Sequence, residues 1–432
     1  MKTFSILVLA SCVLGGHAQA ATVTPEQVLA GWYNLTLNLV RHTATYSPPV
    51  ASRAFAYLGI TAFEATASGD PKLHTLAGQL NGLKSLPQRE PGKTYDEAIV
   101  LNAALDAANH DFFSNTGPSG QHALEAQSRS TKADVTKGVA RDVAARSAAY
   151  GVKLEKAIVA WSSTDGGAVI TNLGFPKKYT LSKLPGHWVP TNTYRLQQAP
   201  LLPNWGKNRT FAMPEGATCS VPPPVPYDES KKSEYVKEAQ DVFTAKNMDT
   251  DEQKAIARFW SDDPGLSWTP AGHWIGMVLE IADRDHLPVA KTTATLARLG
   301  VAVADGFIGC WHEKYLYDYI RPVTVIQKTL DPKWNTLLIT PPFPEYPSGH
   351  SSQSGAAAVA LTSIFGENFA FDDATHERDG LGKRHFSDFW AAANEAGISR
   401  MYGGIHFYAA IKNGLDQGRC IGAYAAKLVM EK

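Results

Sequence analysis

The stretch FPEYPSGHSSQSGAAA, residues 343–358, joins a proline-rich approach to a run of small residues. Its serines and His350 carry side chains that can satisfy the N–H groups left without partners at the start of a helix. Gly349 has no side chain that could block a ligand. The stretch therefore predicts a helix whose N-terminus can bind an anion.

Helical periodicity dominates the rest of the chain, because apolar residues recur at spacings of three and four. Alternating patterns, which are typical of strands, are scarce. The predicted helices cover about residues 24–44, 47–66, 94–115, 119–150, 228–246, 249–262, 270–283, 290–318, 351–366, 385–402 and 407–430. The sequence therefore predicts an all-α protein built from helical bundles.

Two irregular stretches divide the predicted helices into two bundles. Residues 161–213 are rich in Gly, Pro and aromatic side chains, and residues 214–230 form a Pro-rich linker that a helix cannot enter. We expect an N-terminal helical bundle over residues 21–213, including the long loop, and a C-terminal bundle with the anion site over residues 231–432. A loop as long as 161–213 usually covers a site or is itself functional.

Residues 1–20 have the pattern of a cleaved signal peptide. Lys2 provides a short positive region, the apolar run FSILVLASCVLGG follows, and small residues precede Ala21. A lipoprotein anchor at Cys12 is the weaker alternative, because Cys12 comes early and the apolar run continues beyond it. The pattern predicts export to the periplasm or the cell exterior.

The composition is that of an ordinary globular protein. The 432 residues carry 41 basic and 41 acidic side chains, so the chain lacks the net positive charge typical of nucleic-acid binders. Beyond the predicted signal peptide, no segment is expected to reach the roughly 18 apolar residues of a membrane-spanning helix. Cys219, Cys310 and Cys420 allow one disulfide in an oxidising compartment, and the sequence leaves the pairing open.

Two further clusters supply cations and a second histidine in the C-terminal half. In KYLYDYIRP, Lys314 and Arg321 are seven residues apart, so on one helix they would share a face. In SRMYGGIHF, Arg400 and His406 flank a pair of glycines. Each cluster alone is ordinary. Together with the stretch around His350, they provide a set of cations and histidines that suits a highly charged tetrahedral oxyanion, either phosphate or vanadate.

The three clusters, in this order, resemble a known three-part signature. Lys-x6-Arg-Pro, Pro-Ser-Gly-His and Ser-Arg-x5-His look like the motifs of the superfamily that contains vanadium-dependent haloperoxidases and type 2 phosphatidic acid phosphatases. The motifs span residues 314–406. Because the chain is expected to be exported, soluble and helical, it most resembles bacterial vanadium haloperoxidases that oxidise iodide or bromide.

The resemblance implies one bound vanadate per chain and a role for each matching residue. His406 would be the ligand bonded to vanadium, His350 the acid–base residue, and Lys314 the cation that polarises a bound oxygen. These three residues form the implied catalytic set. The implied cofactor-binding residues are Lys314, Arg321, Ser348, Gly349, His350, Arg400 and His406.

Residues near the motifs extend the resemblance. Trp311 and Phe343 have spacings similar to those of aromatic residues that line the halide pocket in the family. In FWSDD, Asp263 would pair with the arginine of the last motif, with Asp262 as the alternative. Many members carry an acid four residues after the ligand histidine, where this chain has Ala410, so a group that would orient the histidine is missing.

The implied function is a haloperoxidase that uses hydrogen peroxide to oxidise a halide, iodide or bromide being favoured, to a hypohalous acid that reacts with small organic acceptors. The alternative is an exported acid phosphatase with His406 as nucleophile and His350 as proton donor to the leaving group. That alternative leaves Trp311 and Phe343 unexplained, and Ala410 weakens it because a nucleophilic histidine benefits most from an orienting acid. A helical anion-binding protein without turnover would not need two histidines.

Overall fold

The structure is a computed structural model that describes residues 23–170, 179–191 and 199–432. The predicted signal peptide, residues 1–20, lies outside the described residues. Within them the chain forms thirteen α-helices and one two-stranded antiparallel sheet, which confirms the all-α prediction. The elements are α1 Pro25–Arg41, α2 Pro48–Ala67, α3 Glu97–Phe112, α4 Pro118–Thr136, α5 Arg141–Ser162, α6 Glu234–Asn247, α7 Asp251–Phe259, α8 Thr269–Arg284, α9 Val289–Tyr317, α10 Pro322–Thr329, α11 Gly349–Phe365, β1 Phe371–Asp373, β2 Arg384–Phe386, α12 Phe389–Tyr402 and α13 Tyr408–Ala426.

Local sequence explains where the helices begin and end. Thr24 caps α1, because its hydroxyl accepts a hydrogen bond from the Gln27 N–H while the Gln27 side chain accepts one from the Thr24 N–H. The helix predicted over 119–150 is instead two helices, since Gly138 between α4 and α5 has a φ of 79°. Helix α12 begins at Phe389 rather than near residue 385, because β2 pairs with β1.

Helix α9 forms the centre of the core. It packs against both α2 and α11, and the close approach to α2 requires glycine on each helix, at Gly59 and Gly300. A Cβ atom at Gly300 would lie 2.9 Å from the Cα atom of Ala56. At the other end of α9, a Cβ atom at Gly349 would lie 4.0 Å from Cε of Lys314, so the first motif meets the start of α11.

Among the described residues, α9 is also the one helix that is long and apolar enough to cross a membrane by length and composition. The expectation of no membrane-spanning segment therefore meets one candidate, whose burial decides how it is interpreted. The most apolar 18-residue window of α9 is 94% buried inside the protein. The apolar character of α9 is thus explained by its place in the core.

The chain between α5 and α6 contains one short 3₁₀ turn, Trp205–Lys207, within its described part. This turn lies directly on α9, because a Cβ atom at Gly206 would lie 2.4 Å from the Cα atom of His312. The main hydrophobic core contains residues from both sides of the Pro-rich linker, residues 214–230. The boundaries of the two expected bundles stay a prediction.

One disulfide, between Cys219 and Cys420, ties the Pro-rich linker to α13, and Cys310 is a buried free thiol. Replacing Cys219 with Ser is expected to lower the free energy of unfolding by roughly 2–4 kcal/mol, because the bond closes a long loop and restricts the unfolded chain. Denaturant unfolding of the variant and of oxidised wild type measures the difference. Equal stability of the two proteins would contradict this expectation.

Candidate active site

Lys314 and Arg321 do not lie on one helix, contrary to the expectation. Helix α9 ends at Tyr317, Asp318 adopts the left-handed conformation with a φ of 46°, and Arg321 precedes α10 as its N-cap residue. The turn nevertheless brings the two cations together. Lys314 Nζ and Arg321 Nη2 lie 2.9 Å and 3.5 Å from the same carbonyl oxygen, that of Pro344.

Lys314 is buried and held by backbone oxygens. Its ammonium group donates hydrogen bonds to the carbonyls of Pro344, Glu345 and Pro347, at 2.9, 2.8 and 2.5 Å. Burial, together with the neighbouring charge of Arg321, lowers the pKa of Lys314 to about 7. An anion bound beside Lys314 would oppose this shift and favour the protonated form of the side chain.

The two arginines of the motifs are also buried. Arg321 donates from Nε and Nη2 to the carbonyl of Phe343 and from Nη1 to the carbonyl of Ile405. Arg400 donates from Nη1 to the carbonyl of Trp260 at 2.5 Å, whereas its buried Nε has no partner in the described part of the chain. Burial lowers the pKa of each guanidinium to about 10.

These three cations lack the carboxylate partners that buried charges usually have. Within the described ranges, no carboxylate oxygen forms an ion pair with Lys314, Arg321 or Arg400. All three lie close enough to His406 to lower its pKa. The site therefore carries an excess of buried positive charge, which favours an anion.

The Pro-Ser-Gly-His stretch forms the start of α11, as predicted. Ser348 is the N-cap residue, and its hydroxyl oxygen accepts a hydrogen bond from the Ser351 N–H at 3.3 Å. Gly349 is the first helical residue, and a Cβ atom there would lie 3.6 Å from the ring of Trp311. The N–H groups at this helix start thus lie beside the cations described above.

His350 lies in the first turn of α11 and is half-buried. Its Nε2 atom is buried without a partner among the described residues. Loss of solvation and the charge of Arg400 lower the pKa of His350 well below its ordinary value. The ring is therefore neutral near pH 7 and can accept a proton.

His406 follows the glycine pair that ends α12. Gly404 has a φ of 78°, a conformation that favours glycine and turns the chain away from the helix. The imidazole Nδ1 lies 2.7 Å from Glu345 Oε1, and Nε2 lies 3.2 Å from Arg321 Nη1. Because the guanidinium can only donate, these contacts assign the proton to Nδ1 and leave the lone pair on Nε2.

Glu345 is the site residue that sequence reasoning missed. Its Oε1 atom accepts hydrogen bonds from His406 and from the Phe407 N–H, the latter at 3.0 Å. Burial raises the pKa of Glu345 to about 8, although nearby cations oppose this shift. Glu345 provides the carboxylate that Ala410 cannot provide. The absence of an acid at residue 410 therefore does not weaken the phosphatase alternative.

A sequence signal for Glu345 exists. It is the one Asp, Glu, Lys or Arg residue in the stretch 343–358, and it is flanked by prolines that lead into the second motif. A lone carboxylate in such a stretch needs a buried partner. The partner, His406, lies 61 residues away in the sequence, so spacing alone could not identify it.

The acid expected to pair with Arg400 does not contact it directly. No hydrogen bond or ion pair in the described chain joins Asp263 to Arg400, and the Trp260 carbonyl accepts from the guanidinium instead. The charge of Asp263 still raises the pKa of Arg400, and by more than the charge of Asp262 does. Asp263 therefore acts on Arg400 through its charge and without direct contact. Asp262, the alternative, is hydrogen-bonded to two buried histidines. A role for Asp263 near the site stays a prediction.

Trp311 and Phe343 form an aromatic wall of the site. Their ring centroids are 4.9 Å apart, and Lys314 Nζ lies 5.1 Å from the centroid of Phe343. Trp311 is buried and donates from Nε1 to the carbonyl of Leu201 at 3.2 Å, whereas Phe343 is half-buried. The described part of the long loop therefore contacts the aromatic wall through Leu201.

The side chains present fit a vanadate ion. His406 Nε2 offers a lone pair to a metal, and three cations surround it without carboxylate partners. The buried Nε atom of Arg400 lacks a partner among the described residues, and an oxyanion oxygen would satisfy this donor. The buried Nε2 atom of His350 also lacks a partner among them. The N–H groups at the start of α11 add further donors.

Comparisons with known proteins agree with this geometry. Residues 294–432 match the family model described as the VCPO second helical-bundle domain. The chain is similar to the vanadium chloroperoxidase of Curvularia inaequalis, with 25% identity in a match that spans 36% of each protein. It is also similar to the structure of a holo-type bacterial vanadium-dependent chloroperoxidase, which is 17% identical and covers 89% of this chain and 92% of its own, with a TM-score of 0.70.

These likenesses define the class, a helical protein with the fold of the vanadium-dependent chloroperoxidases. The structure of a bacterial vanadium-dependent iodoperoxidase is 37% identical, covers 96% of this chain and 98% of its own, and has a TM-score of 0.86. The chain belongs to the vanadium-dependent haloperoxidases, a family of peroxidases, and this membership implies a vanadate cofactor.

Proposed function

We propose that this protein is a haloperoxidase that binds one vanadate and uses hydrogen peroxide to oxidise iodide, with bromide as the second substrate. The geometric observation that carries the proposal is the set of three buried cations, without carboxylate partners, near His406 Nε2, whose lone pair faces Arg321. Hydrogen peroxide, halide and one proton give hypohalous acid and water. The halide is oxidised by two electrons, and these electrons reduce and break the O–O bond of the peroxide. Bound vanadate would supply the oxygen-transfer chemistry.

His406 and Glu345 would hold the cofactor. The Glu345 carboxylate keeps the imidazole proton on Nδ1, which directs the Nε2 lone pair into the site. The same carboxylate oxygen accepts from the Phe407 N–H, so the ring and its backbone are fixed together. Little reorganisation is then needed when the metal binds.

The cations would neutralise the bound oxygens. Arg400 has a free Nε that can donate to an oxygen. All three protons of the Lys314 ammonium already have carbonyl partners, so Lys314 acts on bound oxygens chiefly through its charge. Such a fixed cation would withdraw electron density from an oxygen held beside it.

His350 would move protons at the open side of the site. Its ring is neutral near pH 7, so Nε2 can accept a proton from peroxide and return it to the oxygen that leaves with the halide.

Two observations support iodide as the preferred halide. The aromatic wall of Trp311 and Phe343 favours an anion that loses its hydration shell easily, as the large iodide ion does. The structure that is 37% identical over nearly the whole chain is that of an iodoperoxidase. Bromide is expected to be slower and chloride slowest.

Initial rates test this proposal. The vanadate-loaded mature protein should oxidise iodide faster than bromide and bromide faster than chloride at one peroxide concentration. The vanadate-free protein should not hydrolyse p-nitrophenyl phosphate. A chloride rate equal to the iodide rate would contradict the halide preference. Phosphate ester turnover without any halide oxidation would replace the proposal with the acid phosphatase alternative.

Replacing Glu345 with Ala is expected to weaken vanadate binding by roughly 10–100-fold, the usual cost of losing a residue that orients a metal ligand. Glu345→Gln is the matched control, because its amide oxygen can still accept from His406 and from the Phe407 N–H, and it should lose less. Equilibrium dialysis with vanadium quantified in each chamber measures the affinity. Unchanged affinity in Glu345→Ala would exclude the orienting role.

Export belongs to the same proposal. The disulfide between Cys219 and Cys420 supports folding in an oxidising compartment. The hypohalous acid would then react with small organic acceptors outside the cytoplasm. Fractionation of cells that produce the full chain should place the active protein in the periplasm or the medium.

A further inference from the structure

A buried cluster of two histidines and one aspartate lies behind the candidate active site. Asp262 Oδ2 lies 2.9 Å from His273 Nδ1, and Asp262 Oδ1 lies 3.2 Å from His376 Nε2. The three residues come from separate segments, the loop after α7, helix α8 and the turn after β1, and all are buried. No step of the proposed reaction uses them.

Each histidine directs its other nitrogen at a further carboxylate. His273 Nε2 lies 2.8 Å from Asp373 Oδ2, and His376 Nδ1 lies 3.1 Å from Asp379 Oδ2. Histidines that bind metal ions typically donate their second N–H to a carboxylate in this way, which fixes the ring and leaves the lone pair of the first nitrogen for the ion. Here the remaining nitrogens, His273 Nδ1 and His376 Nε2, both face Asp262.

We propose that Asp262, His273 and His376 bind a divalent transition-metal ion of the zinc type. One ligand atom from each residue can be chosen so that all three lie within 4.8 Å of one another. Two neutral imidazoles and a carboxylate suit Zn²⁺, and the second oxygen of Asp262 or a water completes four ligands. The burial of all three residues indicates a structural ion rather than a catalytic one.

The alternative to a metal ion is that only protons lie between the histidine nitrogens and the carboxylate oxygens of the cluster. Protons would satisfy all four nitrogen–carboxylate contacts only if both rings were cationic or a buried carboxyl were neutral. The ring centroids of His273 and His376 are 4.7 Å apart, so two cationic rings would repel each other. One divalent ion carries the same charge as the two protons it replaces.

The ion would support the wall of the active site. The Trp260 ring stacks on His273 with a centroid distance of 4.5 Å and an interplanar angle of 26°. The carbonyl of the same tryptophan accepts a hydrogen bond from Arg400. A metal that fixes Asp262 and His273 would therefore support the carbonyl that orients Arg400 in the vanadate site.

Metal analysis tests this proposal without any measurement of halide oxidation. The mature protein, produced with added zinc and gel-filtered, should contain about one zinc per chain by mass spectrometry of the digested sample. His376→Asn should lose the zinc, whereas the control His385→Asn should keep it, because His385 pairs with Asp372 at the exposed surface. Vanadium quantified in the same samples separates this site from the cofactor site.

Wild type provides a second measurement that does not depend on the folding of a variant. Zinc returned to chelator-treated wild type should raise the melting temperature, because the ion binds the folded chain. The proposal is overturned if wild type contains no more zinc than His376→Asn. It is also overturned if added zinc leaves the melting temperature of the chelator-treated protein unchanged.

Discussion

Replacing His406 with Ala is expected to abolish vanadate-dependent halide oxidation. The affinity for vanadate should fall by more than about 100-fold, which exceeds the usual effect of losing a residue that merely orients a metal ligand. The physical reason is that the other side chains of the site offer charges and hydrogen bonds, whereas Nε2 of His406 offers the lone pair that bonds to the metal. Equilibrium dialysis against orthovanadate measures the loss directly.

The exposed residue His385 provides the matched control for this experiment. His385→Ala removes an imidazole that is exposed and paired with Asp372, so this variant should bind vanadate as wild type does. If His406→Ala bound vanadate with the affinity of wild type, the cations of Lys314, Arg321 and Arg400 alone would hold the anion. The assignment of His406 as the metal ligand would then be wrong.

Replacing His350 with Ala is expected to have the second-largest effect, and a different one. The turnover number should fall by roughly 10²–10⁴-fold, the usual contribution of a positioned acid–base residue. Vanadate affinity should change little, because His350 lies at the half-buried side of the site and the cations remain in place. Steady-state kinetics with iodide and peroxide, combined with the dialysis measurement, separate the two effects.

The pH dependence provides a further check on His350. Since its pKa lies well below the ordinary value, the neutral ring persists to lower pH than a free histidine would, and wild type should keep peroxide reactivity in mildly acidic solution. A His350→Ala variant with the turnover number and pH profile of wild type would remove His350 from the mechanism.

The motif residues could be predicted because their chemistry requires fixed residue types at places where helices begin or end. Ser348 and Gly349 start α11, and Gly404 ends the turn before His406. Local signals of this kind are readable in one sequence: a cap residue, a small residue, a glycine with positive φ. The all-α fold followed from helical periodicity for the same reason.

The relation between Lys314 and Arg321 could not be predicted from their spacing. Seven residues fit two helical turns, but Asp318 takes the left-handed conformation and ends α9 between them. Nothing in the sequence distinguishes this aspartate from one within a helix, since the turn is stabilised by contacts made elsewhere in the fold. The two cations meet at the Pro344 carbonyl by tertiary packing.

Glu345 was missed because its role depends on a contact between distant segments. The third motif has Ala410 where an acid is common, and spacing within the motif cannot indicate a substitute in another segment. The substitute lies between two prolines, 61 residues before its histidine. The lack of a direct contact between Asp263 and Arg400 could not be predicted for a similar reason. The group that accepts from Arg400 is the backbone carbonyl of Trp260, and a backbone carbonyl has no sequence signature.

The most direct test of the account is a titration of metal-stripped protein with orthovanadate, in the presence of iodide and hydrogen peroxide, followed by triiodide absorbance. The account predicts no activity before vanadate is added and a plateau at about one vanadate per chain. Activity that is independent of vanadate, or no activity when bound vanadium is measured at saturation, would contradict it.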